Sequence, residues 1–389
     1  MFIKRKIEPF LIQRSKEYPA IAIMGPRQSG KTTLAKYIFP NHKYLNLEDF
    51  ELREYATKDP KGFLKLYAND HGLILDEIQR IPNLTSYIQL SVDENRIPGY
   101  FVLTGSQNIL IGNKISQSLA GRIAIITLLP FSIQELKEAG LISSEAEKLI
   151  FKGSYPPIYA NNIEPSNWYK NYINTYVEKD IKQIQNVEKL SEFRRFMALC
   201  AGRIGQVLNI SSLATDAAIT VNTANSWLSL LEESYIIYLL KPHYQNFSKR
   251  VIKAPKIYFY DTGLACSLLG IDNQTNLNTH YLRGGLFESL IISEFYKNFY
   301  NLDKNPKVNF WRDNHGHELD AIIEKGNELI AVEIKAGKTI NSDFFKGLKF
   351  WHELTKIDQK QSFIIYGGDS KQLRSEGMVL PWIDTYEII

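Results

Sequence analysis

The residues that most constrain the fold form the octapeptide Gly25-Pro26-Arg27-Gln28-Ser29-Gly30-Lys31-Thr32, which fits the pattern G-x-x-x-x-G-K-[ST]. An apolar run, Ala20–Met24, precedes it and is typical of a short buried strand, and a helical segment, Thr33–Phe39, follows it. In such a strand–loop–helix unit, backbone N–H groups and the helix N-terminus point at phosphate oxygens. The sequence therefore predicts a phosphate-binding loop.

Two side chains of this loop have expected roles. Lys31 would reach the β- and γ-phosphates, and the Thr32 hydroxyl would bind Mg²⁺. The glycines let the backbone curl around the phosphates. Because the pattern also arises by chance, a second motif is needed to support it.

Leu73-Ile74-Leu75-Asp76-Glu77 supplies that second motif, an apolar strand that ends in two carboxylates. Asp76 would hold the Mg²⁺ shell, and Glu77 would polarise the attacking water as general base. The alternative is a buried strand with an acidic end. A third strand, Tyr100–Leu103, runs into Thr104-Gly105-Ser106-Gln107-Asn108, where a polar side chain would sense the γ-phosphate, although turns commonly carry such residues.

Composition sets the broad class of the protein. The chain has 389 residues, enough for two or three domains, with 44% apolar and 23% charged residues, as in ordinary globular proteins. A net charge of +4 is too small to argue for nucleic-acid binding. Cys200 and Cys266 form no metal-ligand spacing or disulfide framework, no apolar run approaches the ~20 residues of a membrane span, and Met1–Arg14 lacks a signal-peptide core. We therefore expect a cytoplasmic protein without a membrane partner.

Up to about residue 150, short apolar strands alternate with helical patterns, which predicts a parallel sheet with helices on both faces. Pro130 ends the last strand, and Ser132 and Glu135 form a capping box at the start of a helix. The predicted strands are Ala20–Met24, Lys43–Leu47, Leu73–Asp76, Tyr100–Thr104 and Ile123–Leu128.

The middle of the chain resembles a winged helix-turn-helix. After a break at Gly153–Pro157, an amphipathic helix is predicted over Trp168–Ile184. Apolar residues at helical spacing then predict three helices between about Ser191 and Glu233, followed by wing strands at Tyr235–Leu240 and Lys256–Phe259. The basic stretch Lys249–Lys253 between these strands would contact DNA phosphates, or else form a solvated loop or a partner-docking surface.

A second chemical site is predicted near the C-terminus. Glu318–Ile323 and Leu329–Ala336 flank a turn at Gly326-Asn327 and predict an antiparallel hairpin. Side chains alternate along a strand, so Glu318 and Asp320 share a face of the first strand, and Glu333 and Lys335 share a face of the second. If both faces coincide across the hairpin, three carboxylates and a lysine converge.

These side chains would form a metal–phosphodiester site. Asp320 and Glu333 would chelate Mg²⁺, Lys335 would orient the water or stabilise phosphate charge, and Glu288, on a preceding helix, would complete the acidic cluster. A degenerate relic of such a site and a set of plain salt bridges are the alternatives.

At this point the chain resembles AAA-superfamily P-loop ATPases of bacteria and archaea with a C-terminal domain similar to PD-(D/E)XK restriction endonucleases. The resemblance covers nearly the whole chain. On the ATPase side it rests on GPRQSGKT, LILDEIQ, LTGSQN and Ser118-Leu119-Ala120-Gly121-Arg122, and on the C-terminal side on YDTGL, GGLFES, the stretch Trp311–Asp320 and VEIKAG.

The resemblance implies that the loop binds ATP with Mg²⁺, and that Arg122 is an arginine finger or sensor, with a surface arginine at a helix end as the alternative. It places Glu288, Asp320, Glu333 and Lys335 on endonuclease-like positions. The residues expected to contact ATP are Gly25, Pro26, Arg27, Gln28, Ser29, Gly30, Lys31, Thr32 and Thr33.

The fold expected from the sequence is therefore α/β, with a P-loop ATPase core and lid over residues 1–150. A helical linker and winged helix would occupy residues 151–260, and an endonuclease-like α/β domain residues 261–389. We expect a Mg²⁺-dependent ATPase whose nucleotide state is coupled to a nuclease-like domain acting on nucleic acid, DNA rather than RNA, with a homo-oligomer or protein partner. The alternative is a nucleotide-dependent switch or scaffold with an inert last domain. A small-molecule kinase is disfavoured because the Asp-Glu pair suits water activation.

Overall fold

The apolar run Ala20–Met24 forms a strand (β1), as the sequence predicts, in a computed structural model of the protein. The structure describes residues 2–106, 119–176, 190–243, 252–356 and 361–389. The chain divides into two compact units. The first comprises Met1–Phe131, Glu233–Tyr235 and Phe299–Lys304, and the second comprises Ser132–Glu232, Ile236–Asn298 and Asn305–Ile389.

The first unit is built on a five-stranded sheet in the order β2-β3-β4-β1-β5. All its strand pairs are parallel, which confirms the predicted sheet. The other strands are β2 (Lys43–Asn46), β3 (Leu73–Asp76), β4 (Phe101–Gly105) and β5 (Ile123–Thr127). Since parallel strands end at one edge, the loop after β1 and the acidic pair after β3 meet there.

Helices cover both faces of this sheet. Alternate residues of β1 belong to two different apolar clusters, Ala20 and Ala22 to one and Ile21 and Ile23 to the other. The helices of this unit are α1 (Glu8–Glu17), α2 (Lys31–Ile38), α3 (Phe50–Lys58), α4 (Pro60–Leu66) and α5 (Leu84–Glu94). A short 3-10 turn, Ile78–Arg80, follows β3.

The second unit begins with the predicted capping box. The Ser132 hydroxyl accepts from the backbone of Glu135, whose carboxylate accepts from the backbone of Ser132, and the helix α6 (Ile133–Glu138) follows. The next helices are α7 (Ala146–Lys152), α8 (Pro156–Ala160) and α9 (Pro165–Tyr176). The rest of the predicted helix Trp168–Ile184 lies outside the described residues.

Three helices and a hairpin follow, in the predicted order. They are α10 (Leu190–Ala201), α11 (Ile210–Ala217), α12 (Val221–Glu233), β6 (Ile237–Leu240) and β7 (Lys256–Phe259). β6 starts two residues later than predicted, because Tyr235 adopts a left-handed conformation with φ 57°. Val207, between α10 and α11, bridges to Lys256 at the start of β7. Of the basic stretch, residues 249–251 lie outside the described residues.

Described residues between β6 and β7 pair with a strand of the C-terminal sheet. The backbone N–H of His243 donates to the carbonyl of Phe310 at 2.7 Å, and that of Ile252 donates to Arg312 at 3.1 Å. We call residues 241–243 and 252–255 the hairpin arms. Through residues 241–243 and Ile252, the hairpin arms pair with the outer edge of strand β8 (Val308–Arg312), which would otherwise present unpaired backbone groups.

The C-terminal sheet is mixed and has six strands in the order β12-β13-β11-β10-β9-β8. The predicted hairpin is confirmed, because β9 (Glu318–Lys325) and β10 (Glu328–Lys335) pair antiparallel around Gly326, whose φ is 65°. The remaining strands are β11 (Ser362–Tyr366), β12 (Gln372–Arg374) and β13 (Gly377–Pro381). The helices in this part of the chain are α13 (Thr262–Leu268), α14 (Gln274–Thr279), α15 (Arg283–Asn301) and α16 (Lys346–Thr355), with 3-10 segments at Ser342–Phe345 and Trp382–Ile388. Of these, α16 and the two 3-10 segments pack against strands of the C-terminal sheet.

Across the part of the chain that the structure describes, no helix is both long enough and apolar enough to cross a membrane.

Candidate functional sites

The loop after β1 has the backbone that its glycines allow. Gly25 has φ 151°, and a Cβ there would lie 2.1 Å from the carbonyl oxygen of Leu128 on the neighbouring segment. Gly30 has φ 94° and precedes the first residue of α2. Close packing leaves no room for a side chain at Gly25, and the left-handed backbone disfavours one at Gly30.

Lys31 points back over the loop. Its ammonium donates to the carbonyl oxygens of Gly25, at 3.0 Å, and Pro26, at 2.7 Å. These two carbonyls hold the ammonium above the loop. Oxygens of a bound phosphate group would replace the carbonyls as its hydrogen-bond acceptors.

The other predicted contact residues divide by exposure. Ser29 is buried, whereas Gln28 is exposed at φ 61° and Thr33 is exposed on the first turn of α2. Arg27 lies 3.4 Å from the Glu48 carboxylate. The side chains of Gln28 and Thr33 are therefore solvated where the loop meets solvent.

The Asp76 carboxylate, at the end of β3, accepts hydrogen bonds from several hydroxyl groups. Thr32 Oγ1 lies 3.0 and 2.9 Å from its two oxygens, the Tyr44 hydroxyl donates at 2.8 Å, and Thr104 also contacts it. Burial and the bond to Asp76 raise the pKa of Tyr44, so its hydroxyl stays a donor. Hydroxyl and carboxylate oxygens are ligands that Mg²⁺ prefers, and Thr32 and Asp76 therefore fit the predicted ion.

Glu77 has an unusual backbone conformation. It has φ 58° and ψ 45°, a left-handed conformation that is uncommon for a residue with a side chain. Its carboxylate contacts the Gln79 amide and lies 3.5 Å from the Ser106 hydroxyl, which in turn lies 3.1 Å from the Gln79 amide. Such outliers persist where the surrounding structure holds them, and they motivate a hypothesis of function. Of the other candidate sensors, Gln107 and Asn108 lie outside the described residues.

Arg122 lies far from the phosphate-binding loop of its own chain. It immediately precedes β5, and its neighbour Ile123 pairs with Ala20 at the start of β1, whereas the phosphate-binding loop follows the end of β1. A strand of this length spans roughly 13 Å. The Arg122 guanidinium instead forms a two-point ion pair with Asp93 on α5. The structure therefore does not bring Arg122 to the loop of its own chain, and a role in a neighbouring subunit stays a prediction.

Arg5 contacts the loop, although sequence reasoning did not single it out. Its buried guanidinium donates to the carbonyl oxygens of Ser29, at 3.0 Å, and Leu129, at 2.6 Å. It thereby ties the loop to the chain after β5. Arg5 is distant in sequence from both partners, so no local pattern indicated it.

A second candidate site lies in a cleft of about 780 Å³ in the second unit. The cleft brings together the predicted residues Glu288, Asp320, Glu333 and Lys335. It also brings Glu318, on the same face of β9 as Asp320, and Lys256, at the start of β7. Lys256 was predicted only as a strand residue.

Asp320, Glu333 and Lys335 contact one another. Asp320 accepts from the backbone N–H of Ile334 at 2.7 Å and lies 3.4 Å from the Lys335 ammonium, which also contacts Glu333. Burial raises the pKa of Glu333 well above its usual value, and Asp320 adds to this rise. Burial opposes ionisation of Asp320, but Lys335 and Lys256 outweigh it and lower its pKa. The cluster therefore brings two carboxylates and one ammonium group together.

Gly347 lets α16 pack closely over this cluster. A Cβ at Gly347 would lie 1.7 Å from the Glu333 carboxylate and 2.8 Å from the backbone oxygen of Glu318. The helix therefore forms one wall of the cleft and limits where the Glu333 side chain can lie.

Metal binding at either site would need oxygens from outside the protein. Within the described ranges, no set of three or more His, Cys, Asp or Glu side chains is gathered around a common point suited to a metal ion. Two carboxylates, or a hydroxyl and a carboxylate, leave most positions of an octahedral ion for water and phosphate oxygens. The donor sets at Thr32–Asp76 and at Asp320–Glu333 fit this arrangement.

Three segments of the chain match family models. Residues 17–137 match an AAA domain. Residues 143–275 and 283–384 match two domains of unknown function, DUF8612 and DUF4143 respectively.

Similar proteins span most of the chain. The uncharacterized Mycobacterium tuberculosis protein Rv2008c is 29% identical over 87% of this chain and 75% of its own length. An uncharacterized protein of Haemophilus influenzae is 25% identical over 80% of this chain and 81% of its own length. Among solved structures, the Walker-type ATPase PABY2304 of Pyrococcus abyssi is 16% identical, with a TM-score of 0.43 over 69% of this chain and 96% of that one.

The AAA-domain match and the geometry of the first unit agree on its class. A parallel sheet of five strands carries a glycine loop at the edge where its acidic pair lies. The first unit has a P-loop ATPase-like fold, and that fold supports nucleotide binding and hydrolysis.

Proposed function

We propose that the protein is a Mg²⁺-dependent ATPase that uses the loop Gly25–Thr32. The observation that carries this proposal is the contact between Thr32 and Asp76 beside the Lys31 ammonium. It brings a hydroxyl, a carboxylate and a cation to the edge of the sheet where the loop N–H groups lie. Phosphate recognition needs these groups together.

Each residue then has a defined task. Lys31 exchanges its loop carbonyls for phosphate oxygens, and Thr32 and Asp76 hold Mg²⁺, which neutralises phosphate charge when bound. Glu77, next to Asp76, accepts a proton from the attacking water. Gln79 and Ser106 hold the Glu77 carboxylate in place through the contacts described above.

Two substitutions test this assignment. Lys31→Ala should lower the affinity for ATP at least tenfold, because it removes the ammonium that would contact the phosphates. Glu77→Gln should still bind ATP but should turn it over at least a hundredfold more slowly, in keeping with the effect of a general base. Binding is measured with a fluorescent ATP analogue and turnover by phosphate release.

The exposed variants Lys61→Ala and Glu51→Gln serve as matched controls and should behave as wild type. Unchanged turnover in both Lys31→Ala and Glu77→Gln would contradict the assignment.

A second activity is proposed for the cleft in the second unit. We propose that it cleaves phosphodiester bonds of nucleic acid, DNA rather than RNA, under control of the nucleotide state of the first unit. The convergence of Asp320, Glu333 and Lys335 favours it. Asp320 and Glu333 would hold a divalent cation, which would polarise the phosphate, and Lys335 would stabilise the charge on its oxygens.

Cleavage assays test this activity. Single- and double-stranded DNA and RNA are incubated with Mg²⁺ or Mn²⁺, with and without ATP. Cleavage should be at least a hundredfold slower in Asp320→Ala and Lys335→Ala, while Asp369→Ala and Lys371→Ala, which are exposed, should cut as wild type does. An effect of ATP on the rate would support coupling.

The alternative function is a nucleotide-dependent switch or scaffold. The three helices and hairpin of the second unit support a winged-helix interpretation, and such modules bind protein as well as DNA. Intact ATP turnover without cleavage of any substrate would favour this alternative.

A further inference from the structure

Lys256 reaches the C-terminal cleft from outside the C-terminal sheet. It is the first residue of β7, and its side chain is only 3% exposed. Its ammonium lies 2.9 Å from Glu288 Oε1 and also contacts Glu318. Lys256 lies in the matched segment 143–275, whereas the carboxylates lie in the matched segment 283–384. The site is therefore shared between two segments.

The charges in the cleft divide into two groups. Lys335 contacts Asp320 and Glu333, as described above. Lys256 is the buried cation beside Glu288 and Glu318, and Arg312, which lies 3.3 Å from Glu318, is more exposed. In the absence of Lys256, the carboxylates of Glu288, Glu318 and Asp320 would lie close together. Lys335 and the more exposed Arg312 would be the cations beside them. Unpaired buried charge of this kind is strongly unfavourable.

The position of the Lys256 ammonium is fixed from several sides. β7 pairs with β6 and bridges to Val207, which holds the Lys256 backbone. The Tyr258 hydroxyl donates to the same Glu288 oxygen that Lys256 contacts, and Arg312 contacts the second oxygen of Glu318. The carboxylates are thus oriented toward one point, and Lys256 fills it.

We propose that Lys256 is a built-in cation that takes the place of a second divalent ion between Glu288 and Glu318. The cleft then binds a single divalent ion, at Asp320 and Glu333. Carboxylate oxygens turned toward one cation are the ligands that Mg²⁺ and Mn²⁺ accept. This inference rests on the proposed phosphodiesterase function, and Lys256 acts in it as a positioning residue that fixes the number of metal ions.

Counting Mn²⁺ ions tests the inference. Free Mn²⁺ is measured by electron paramagnetic resonance in titrations of the nucleotide-free full chain, with Asp320→Asn/Glu333→Gln as the baseline for sites elsewhere. Wild type should bind one ion above this baseline, and Lys256→Met should bind two. Lys256→Arg, which keeps the charge, and Lys256→Met/Glu288→Gln, which removes a ligand, should each bind one.

Each result decides between the two proposals. One ion in both wild type and Lys256→Met would overturn the inference and leave the phosphodiesterase proposal standing. No ion in wild type would overturn the metal site proposed for cleavage. The change on Lys256→Met would still decide the role of Lys256: a gain of one ion would support it, and no gain would overturn it. Thermal unfolding checks that each variant is folded. Lys256→Gln, which keeps a donor for the carboxylates, replaces Lys256→Met if the latter does not fold, and the same counts apply.

Discussion

At the scale of single residues, Asp76 depends on a neighbour that no motif includes. Tyr44 lies on β2, next to β3, and its hydroxyl donates to Asp76 Oδ2 at 2.8 Å. Lys36 lies 3.4 Å from the centre of the Tyr44 ring, which helps to hold the ring in place. Tyr44 therefore orients the carboxylate that would bind Mg²⁺.

Removal of the Tyr44 hydroxyl should weaken Mg²⁺ binding selectively. In Tyr44→Phe, loss of a hydrogen bond worth roughly 1 kcal/mol should raise the Mg²⁺ concentration for half-maximal ATP hydrolysis about fivefold. ATP binding in EDTA should stay unchanged, since Lys31 and the loop are intact. The control is Tyr37→Phe, which loses the hydroxyl of an exposed tyrosine. An unchanged or lower Mg²⁺ requirement in Tyr44→Phe would contradict the orienting role.

At the scale of elements, local patterns predicted most of the strands and the β9–β10 hairpin. The glycine loop, the acidic strand end and the capping box each lie within a few residues, so their geometry follows from local sequence. Lys256 and Arg5 could not be predicted in this way. Lys256 is 32 residues from Glu288, and the two meet where β7 contacts α15, through the hydrogen bonds between the backbone of Phe259 and the Ser289 hydroxyl.

The packing of α16 on β10 gives an element-scale prediction. Gly347→Ala should destabilise the second unit by about 1–3 kcal/mol, because the new methyl group would overlap Glu333 and the backbone of Glu318. Denaturant unfolding followed by circular dichroism measures this change.

Gly284→Ala on α15 is the matched control. A Cβ at Gly284 meets no atom within 4 Å, so this variant should be stabilised by about 0.5–1 kcal/mol through the reduced entropy of the unfolded chain. Equal effects of the two alanines would show that the close approach of α16 does not matter.

At the scale of the whole molecule, acid should destabilise the fold through His352. Burial lowers the pKa of His352 below its usual value of 6.5, and its Nε2 lies 2.7 Å from the Ser362 hydroxyl. The unfolded chain therefore binds a proton at a pH where the folded chain does not. The contribution of His352 to the free energy of unfolding is therefore present above pH 6.5 and is lost as the pH falls below this value.

The melting temperature at pH 7.5 and pH 5.5 measures this effect. His352→Gln should lose less stability between these values than wild type does, because glutamine takes up no proton. His315→Gln, at an exposed position, should follow wild type. An equal loss in His352→Gln and wild type would assign the acid sensitivity to other groups.

The pairing of the hairpin arms with β8 also bears on how such a gene can change by recombination. A crossover that exchanged only residues 283–389 would separate β8 from the backbone that covers its edge and would remove Lys256 from its carboxylates. The new chain would expose an unpaired strand to self-association and leave buried charges without a counter-ion. The second unit is therefore expected to be inherited as a whole, although two separate family models describe its sequence.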